Sequence, residues 1–243
     1  MKEQSTFLPS KHLDLKNKSE YKFPKHHVAV DCVVFGYTDG DLKILLAHRR
    51  FEHSRGEWSL LGGWLLDKET VEEASQRILF EITGLKDIYL EQVQIFSRLD
   101  RDPGGRVISI VFYAMIRIDQ HDQELVDRFG AKWWSFSNKP LLIFDHDEMV
   151  KGAHEKLKQK ASYELIGQDF LPDKFTILEL RSLYEAIYQQ SFDPGNFRKK
   201  ILSLKALKRL NHKNTTHSKK GAFYFKFANG SSNIIRERIV KNL

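Results

Sequence analysis

Between Gly62 and Leu85 the chain reads GGWLLDKETVEEASQRILFEITGL, a segment whose charged residues could hold a metal ion against a polyphosphate. Glu73, Arg77 and Glu81 follow at intervals of four, so on a helix they share a face, with Glu72 beside them. Carboxylates gathered in this way suit magnesium, a hard cation that takes oxygen ligands. An ion so held could set water against a diphosphate. A second set of residues suited to chemistry stands near the C terminus. Asn196, Arg198, Lys199, Lys200 and Ser203 lie within DPGNFRKKILS, and Lys213, His217, Lys219 and Lys220 lie in the polar stretch that follows. Cationic and amide side chains at this density suit a polyanion, above all the phosphates and base edges of DNA.

Each set needs elements to position it. Residues 1–24 are polar with scattered Leu and Phe and form an extended arm. HVAVDCVVFGY, from His27 to Tyr37, is β-branched and is followed by the turn Thr38-Asp39-Gly40-Asp41 and a second strand over Lys43 to Arg49, a hairpin pattern. This pair leads through Trp58 to Gly63 into a helix over Thr70 to Thr83, which Gly84 would cap at positive φ. Further strands are expected at Leu90–Leu99, Val107–Ile118 and Lys132–Phe136. Mixed strands with few helices fit an α/β sandwich rather than a doubly wound sheet. The charged run from Asp145 to Tyr163 predicts a helical connector.

Beyond it Thr176 and Glu179 stand at capping-box spacing, and Leu178, Leu180, Leu183, Tyr184 and Ile187 supply an apolar face. Asp193-Pro194 starts another helix, to Leu204, with Phe197, Ile201 and Leu204 on one side and the basic residues on others. A basic loop from Asn211 to Gly221 then precedes the alternating Phe223, Phe225 and Phe227 of a strand. Two short helices, the second basic, followed by a hairpin form a winged helix-turn-helix pattern. The expected organisation is α+β: an arm at 1–24, a sandwich at 25–144, a connector at 145–163 and a winged helix-turn-helix domain at 164–243.

Composition agrees. The 243 residues are 41% hydrophobic and 12% aromatic, enough to bury real cores. The formal net charge of +7 is uneven: residues 193–243 hold 13 Lys and Arg against 2 Asp and Glu, while the first 192 are mildly acidic. A basic module on an acidic body points to a polyanion partner, with a solvated lysine-rich tail as the plain alternative. The single cysteine, Cys32, lies in an apolar run, which excludes a disulfide framework and suits a reducing compartment. No apolar stretch nears the roughly 20 residues that cross a bilayer. A cytoplasmic location is expected.

The spacing Gly63, five residues, Glu69, seven residues, Arg77, then ILFEITGL resembles the signature of the Nudix family. RDPGGRVIS from Arg101, AKWW from Ala131 and FDHDE from Phe144 are similar to further landmarks of its ADP-ribose pyrophosphatase relatives. In that family the segment after the arginine follows R-E-U-x-E-E-x-G-U, where U is aliphatic, and its glutamates hold the divalent ions. Here two of the three are Ile78 and Ile82, and only Glu81 remains. Gly63, Glu69, Arg77 and Gly84 survive, so the resemblance implies a kept framework, lost catalysis, no catalytic residues and no metal site. A Nudix-like domain joined to a winged helix resembles the NrtR regulators of NAD metabolism.

That resemblance implies a homodimeric repressor on a palindromic double-stranded DNA operator, released by ADP-ribose or a related NAD metabolite and needing no cofactor. A diphosphate effector would call for guanidinium donors, for which Arg49, Arg55, Arg77, Arg101 and Arg106 lie in or beside the motifs, with Glu81 at the old ligand position and Trp58 placed to stack on adenine. Structural alternatives stand beside these roles: Arg77 as partner of Glu69, Trp58 as core, Asp145 as helix cap, and Trp133 and Trp134 as one ring inward and one outward. Three other functions remain open. Glu72, Glu73 and Glu81 could regroup around magnesium in a working hydrolase, the same architecture could respond to a sugar ligand, or the chain could be an enzymatically inactive interaction protein that binds no operator.

Overall fold

The structure, a computed structural model, describes residues 24–48, 56–86, 88–168, 170–214, 221–228 and 239. Residues 1–23 of the arm expected at 1–24, together with Arg49, Arg55, His217, Lys219 and Lys220, lie outside them.

The first unit is organised by β1 (His27–Thr38), whose residues are buried on both faces. Val30, Cys32 and Val34 join one hydrophobic cluster, while Val33 and Phe35 join the other, as the two-residue period of a strand dictates. Asp39 and Gly40, at φ 52° and 79°, turn the chain into β2 (Asp41–His48), the left-handed pair a tight hairpin needs. β1 also pairs antiparallel with β4 (Leu61–Trp64) and parallel with β6 (Val107–Met115). β3 (Trp58–Ser59) and β7 (Ala131–Ser135) pair with β2, and β5 (Leu90–Phe96) with β6, completing a seven-stranded mixed sheet. The strands expected to reach Leu99 and Ile118 stop at Phe96 and Met115.

Helix α1 (Val71–Thr83) covers one face of the sheet through Ile78, Leu79 and Ile82, helped by Val126 of the short α2 (Gln123–Arg128). Helix α3 (His146–Tyr163) covers the other with Met149, Val150, Ala153 and Leu157 against Phe35, Val93 and Tyr113. The result is an α/β sandwich. The helix expected as a connector is therefore a wall of the core, because every third or fourth residue of its charged sequence is apolar or small.

The second unit packs on the same helix. β8 (Phe175–Thr176), α4 (Ile177–Tyr188), α5 (Pro194–Ser203), β9 (Leu207–Asn214) and β10 (Ala222–Phe227) follow in order, with the strands arranged β8-β10-β9. Thr176 and Glu179 exchange both capping-box bonds, at 3.2 and 2.6 Å, and Asp193 accepts from the Asn196 N–H at 2.8 Å with Pro194 in the first turn. This is a winged helix. Its core of Leu180, Leu183, Tyr184, Ile187, Phe197, Ile201 and Phe225 is continuous with the α3 side of the sandwich.

Two expectations change here. Leu178 is 49% exposed, because capping at Thr176 makes Ile177 the first inward position and leaves its neighbour outward. Asn211 to Asn214, expected in the loop, extend β9, so Lys213 pairs with Phe223 on a strand. β8 carries only two residues and leaves no period in the sequence to find.

Candidate functional site

The glycine-rich turn and helix α1 are held by their own charged residues. Thr70 caps the helix, its Oγ1 accepting from the Glu73 N–H at 3.2 Å, and Glu73 Oε2 returns the bond to the Thr70 N–H at 2.7 Å. Gly84, at φ 71°, closes the other end by donating to the Phe80 carbonyl at 2.9 Å. Arg77 donates to Glu69 twice, at 2.9 and 2.7 Å, and once to the Trp64 carbonyl at 3.1 Å. The Arg77 hydrogen bonds hold the Glu69 carboxyl down to about 2. Glu81, half-exposed, faces Arg77 at 3.7 Å. The brace expected between Glu69 and Arg77 is present.

Magnesium, the ion this fold's hydrolases would use, does not fit these residues. Glu69 and Glu73 are bound to the framework, Glu81 lies beside a guanidinium, and Ile78 and Ile82 are buried with 3% and 8% exposure. Among the described residues no group of three or more His, Cys, Asp or Glu side chains is placed to hold a metal ion.

Beneath the turn lies a polar chain that sequence reasoning missed. Asp31, in the middle of β1, accepts from Ser109 Oγ at 2.5 Å, and its other oxygen stands 4.0 Å from His146 Nε2. His146 Nδ1 accepts from the Leu60 N–H at 3.1 Å, so the ring proton sits on Nε2, toward the carboxylate. A Cβ on Gly62 would stand 2.2 Å from Asp31 Oδ1, which makes this glycine a condition of the buried acid. An aspartate inside VAVDCVVF was the available signal, since a charge in a doubly buried strand must have partners.

Of the expected effector residues, Arg101 is framework, while Arg106 and Trp58 are half-buried and partly engaged within the chain. Arg101 is buried and donates to Asp145 through Nε and Nη2, at 2.9 and 2.8 Å, with each side chain only 2% exposed. It is therefore an internal ion pair rather than a diphosphate donor. Asp145, expected also as a cap, makes no side-chain bond to its helix terminus, because Arg101 takes its carboxylate. Arg106, half-buried, donates to the Ser97 and Arg98 carbonyls at 2.6 and 3.3 Å and ties the loop between β5 and β6. Trp58 is half-buried, with its ring edge-on to His48 at 4.8 Å and Trp134 at 5.2 Å. Trp133 and Trp134 do not divide into one inward and one outward ring. They pack against opposite faces of the sheet, both half-buried.

The C-terminal set is arranged differently. Phe197 and Ile201 of α5 point into the core, while Asn196, Arg198, Lys199 and Ser203 are exposed and Lys200 is half-buried. Across the wing, Arg209 and Lys213 of β9 lie 4.5 and 4.8 Å from the Phe223 ring centroid. Arg209 was not among the expected DNA contacts, although its strand position beside an aromatic pair partner offered a clue.

Residues 25–151 match the NUDIX domain, and residues 167–227 match the NrtR DNA-binding winged helix domain. The chain is 29% identical over 189 residues to the ADPR responsive transcriptional repressor NtrR of Acinetobacter baylyi, covering 76% of this chain and 75% of that one. It is 39% identical over 141 residues, 57% of this chain and 78% of the other, to an ADP-ribose pyrophosphatase of Methanocaldococcus jannaschii. The crystal structure of Shewanella oneidensis NrtR complexed with a 27mer DNA superposes with a TM-score of 0.75 at 27% identity, over 87% of this chain and 98% of that one. With a braced Nudix turn and helix in front and this winged helix behind, the chain belongs to the Nudix family and, within it, to the NrtR group.

Proposed function

We propose that the chain is a transcriptional repressor of NAD metabolism genes that binds DNA through α5 and the wing, and whose Nudix domain takes up ADP-ribose as an effector without hydrolysing it. The observation that carries the reading is the contrast within one molecule between a Nudix turn and helix whose Glu69, Glu73 and Arg77 are bound into the framework and an exposed basic helix beside a wing. The two named relatives supply the ligand chemistry, one as an ADPR responsive repressor and the other as a pyrophosphatase acting on the same nucleotide.

Asn196, Lys199, Lys200 and Ser203 are assigned to the major groove, and Arg198 and Lys213 to phosphate. On the effector side, Trp58, Glu81 and Arg106 remain candidates for contact with the nucleotide, with Arg77 acting through the brace it forms with Glu69. Two copies on a palindromic operator would set their readers about 34–36 Å apart, one turn of DNA. ADP-ribose would act by its different affinity for the DNA-bound and free geometries. A cytoplasmic location suits this role, and among the described residues no helix is long and apolar enough to cross a membrane.

The test is fluorescence anisotropy of the full-length chain on the palindromic segment upstream of its own gene, titrated with ADP-ribose in magnesium, with the nucleotide recovered and analysed. Release of DNA with intact ADP-ribose is expected. Cleavage to AMP and ribose phosphate without sequence-specific DNA binding would instead make the chain a hydrolase with an unusual ion site.

A further inference from the structure

A groove of about 460 Å³ opens where the first turns of α4 and α5 meet the wing strand β10. Arg181 and Arg198 stand in its wall, with Leu178, Pro194 and Phe223 supplying an apolar lining between them. We propose that this groove seats a segment of DNA sugar-phosphate backbone, with Arg181 of α4 and Arg198 of α5 holding a phosphate from two sides and the apolar lining facing deoxyribose. This rests on the reading of the chain as a DNA-binding protein and adds to it a phosphate clamp that joins the recognition helix α5 to the helix before it, α4.

Three observations support the assignment. Arg181 Nε is buried and has no hydrogen-bond partner among the described residues. It forms only a long ion pair, 3.6 Å, with Glu185 Oε1, which already accepts from the Phe192 N–H at 2.9 Å. That single long ion pair leaves the guanidinium weakly held within the chain, and Arg181 lines the groove, where its planar fork suits a phosphate. Leu178 is 49% exposed at the mouth of the same groove, an apolar side chain that gains a partner only if something is seated there. The surroundings are cationic, since Arg209 and Lys213 lie over the Phe223 ring that forms the far wall. An anion with an apolar rim fits this lining, and the DNA backbone alternates the two chemistries at the right scale.

The experiment measures binding of full-length wild type, Arg181→Gln and Arg181→Lys to an operator duplex and a scrambled duplex of equal length across a range of salt. A phosphate contact predicts that Arg181→Gln weakens both duplexes by the same factor, about 10-fold, and lowers the slope of log affinity against log salt by about 0.9. Arg181→Lys should keep the slope while losing part of the affinity, because a lysine retains the charge without the planar fork. Thermal melting of each variant separates loss of fold from loss of contact. An unchanged slope and affinity in Arg181→Gln, with specific wild-type binding intact, overturns the clamp alone. Loss confined to the operator duplex makes Arg181 a base reader and also overturns it. Absence of specific binding by wild type defeats the clamp and the repressor reading together. Should the variant bind DNA normally while losing affinity for an acidic peptide, the groove is a protein-docking site instead.

Discussion

Helices α1 and α5 are both short, capped by an oxygen side chain and charged on their outer faces, yet they use charge in opposite ways. On α1 the ionic groups meet inside the molecule: Arg77 grips Glu69 and faces Glu81, and Glu73 is bound to the cap. On α5 the side chains of Arg198 and Lys199 are exposed on the surface and Lys200 is half-buried. Charge answered within the chain fixes a fold. Charge left open recruits a partner. In the Nudix helix charge serves the framework, and in the basic helix it is left on the surface.

The largest test of that division is Arg101, the extreme case of internal charge. Arg101→Met leaves Asp145 buried and unpaired and should cost about 3–5 kcal/mol in urea unfolding, whereas Arg101→Met with Asp145→Leu should recover most of it. Equal destabilisation in both variants would show that packing rather than the ion pair is at stake. On the outward side, Lys199→Ala should move unfolding free energy by no more than about 0.5 kcal/mol. The same variant should weaken specific DNA binding by about 1–3 kcal/mol if the side chain reaches a base edge. A variant that melts early but binds normally would reverse the comparison.

The smallest effect concerns His154, an interior group that is polar but kept neutral. It contacts the Ile187 carbonyl through Nε2 at 2.6 Å and packs on Phe136, and burial lowers its pKa below the ordinary imidazole value despite that backbone bond. With the folded pKa below the unfolded one, its contribution to stability is present above about pH 6.5 and is lost as pH falls through the folded value. Unfolding followed from pH 8 to 5 should show this decline, and His154→Gln should flatten it. A decline of the same steepness in the variant would assign it to other groups.

Much of this organisation was legible in the chain itself. Thr176 with Glu179, Asp193 with Pro194, and Gly84 carry local signals strong enough to place three helix ends, because caps depend on residues within one turn. The β-branched run from His27 to Tyr37 marked the first strand, and the structure adds that it is buried on both faces. The site was less legible because the partners of its charges come from distant strands and helices. Nothing near Arg101 in sequence announces Asp145, 44 residues on. Leu178 failed for a similar reason: its type suits the core, and only the position of the cap decides which way it faces.

Helix α3 carries one further consequence, which belongs to inheritance rather than energetics. Its Met149, Val150 and Leu157 close the sandwich, and the same helix supports α4 of the winged unit, all within a single apolar cluster. A recombination that joined a foreign reader before residue 146 would strip the sheet of its cover, and one that began the reader after residue 163 would leave the reader without its supporting helix. A working exchange of readers therefore has to keep α3 whole and rebuild the face it offers to α4.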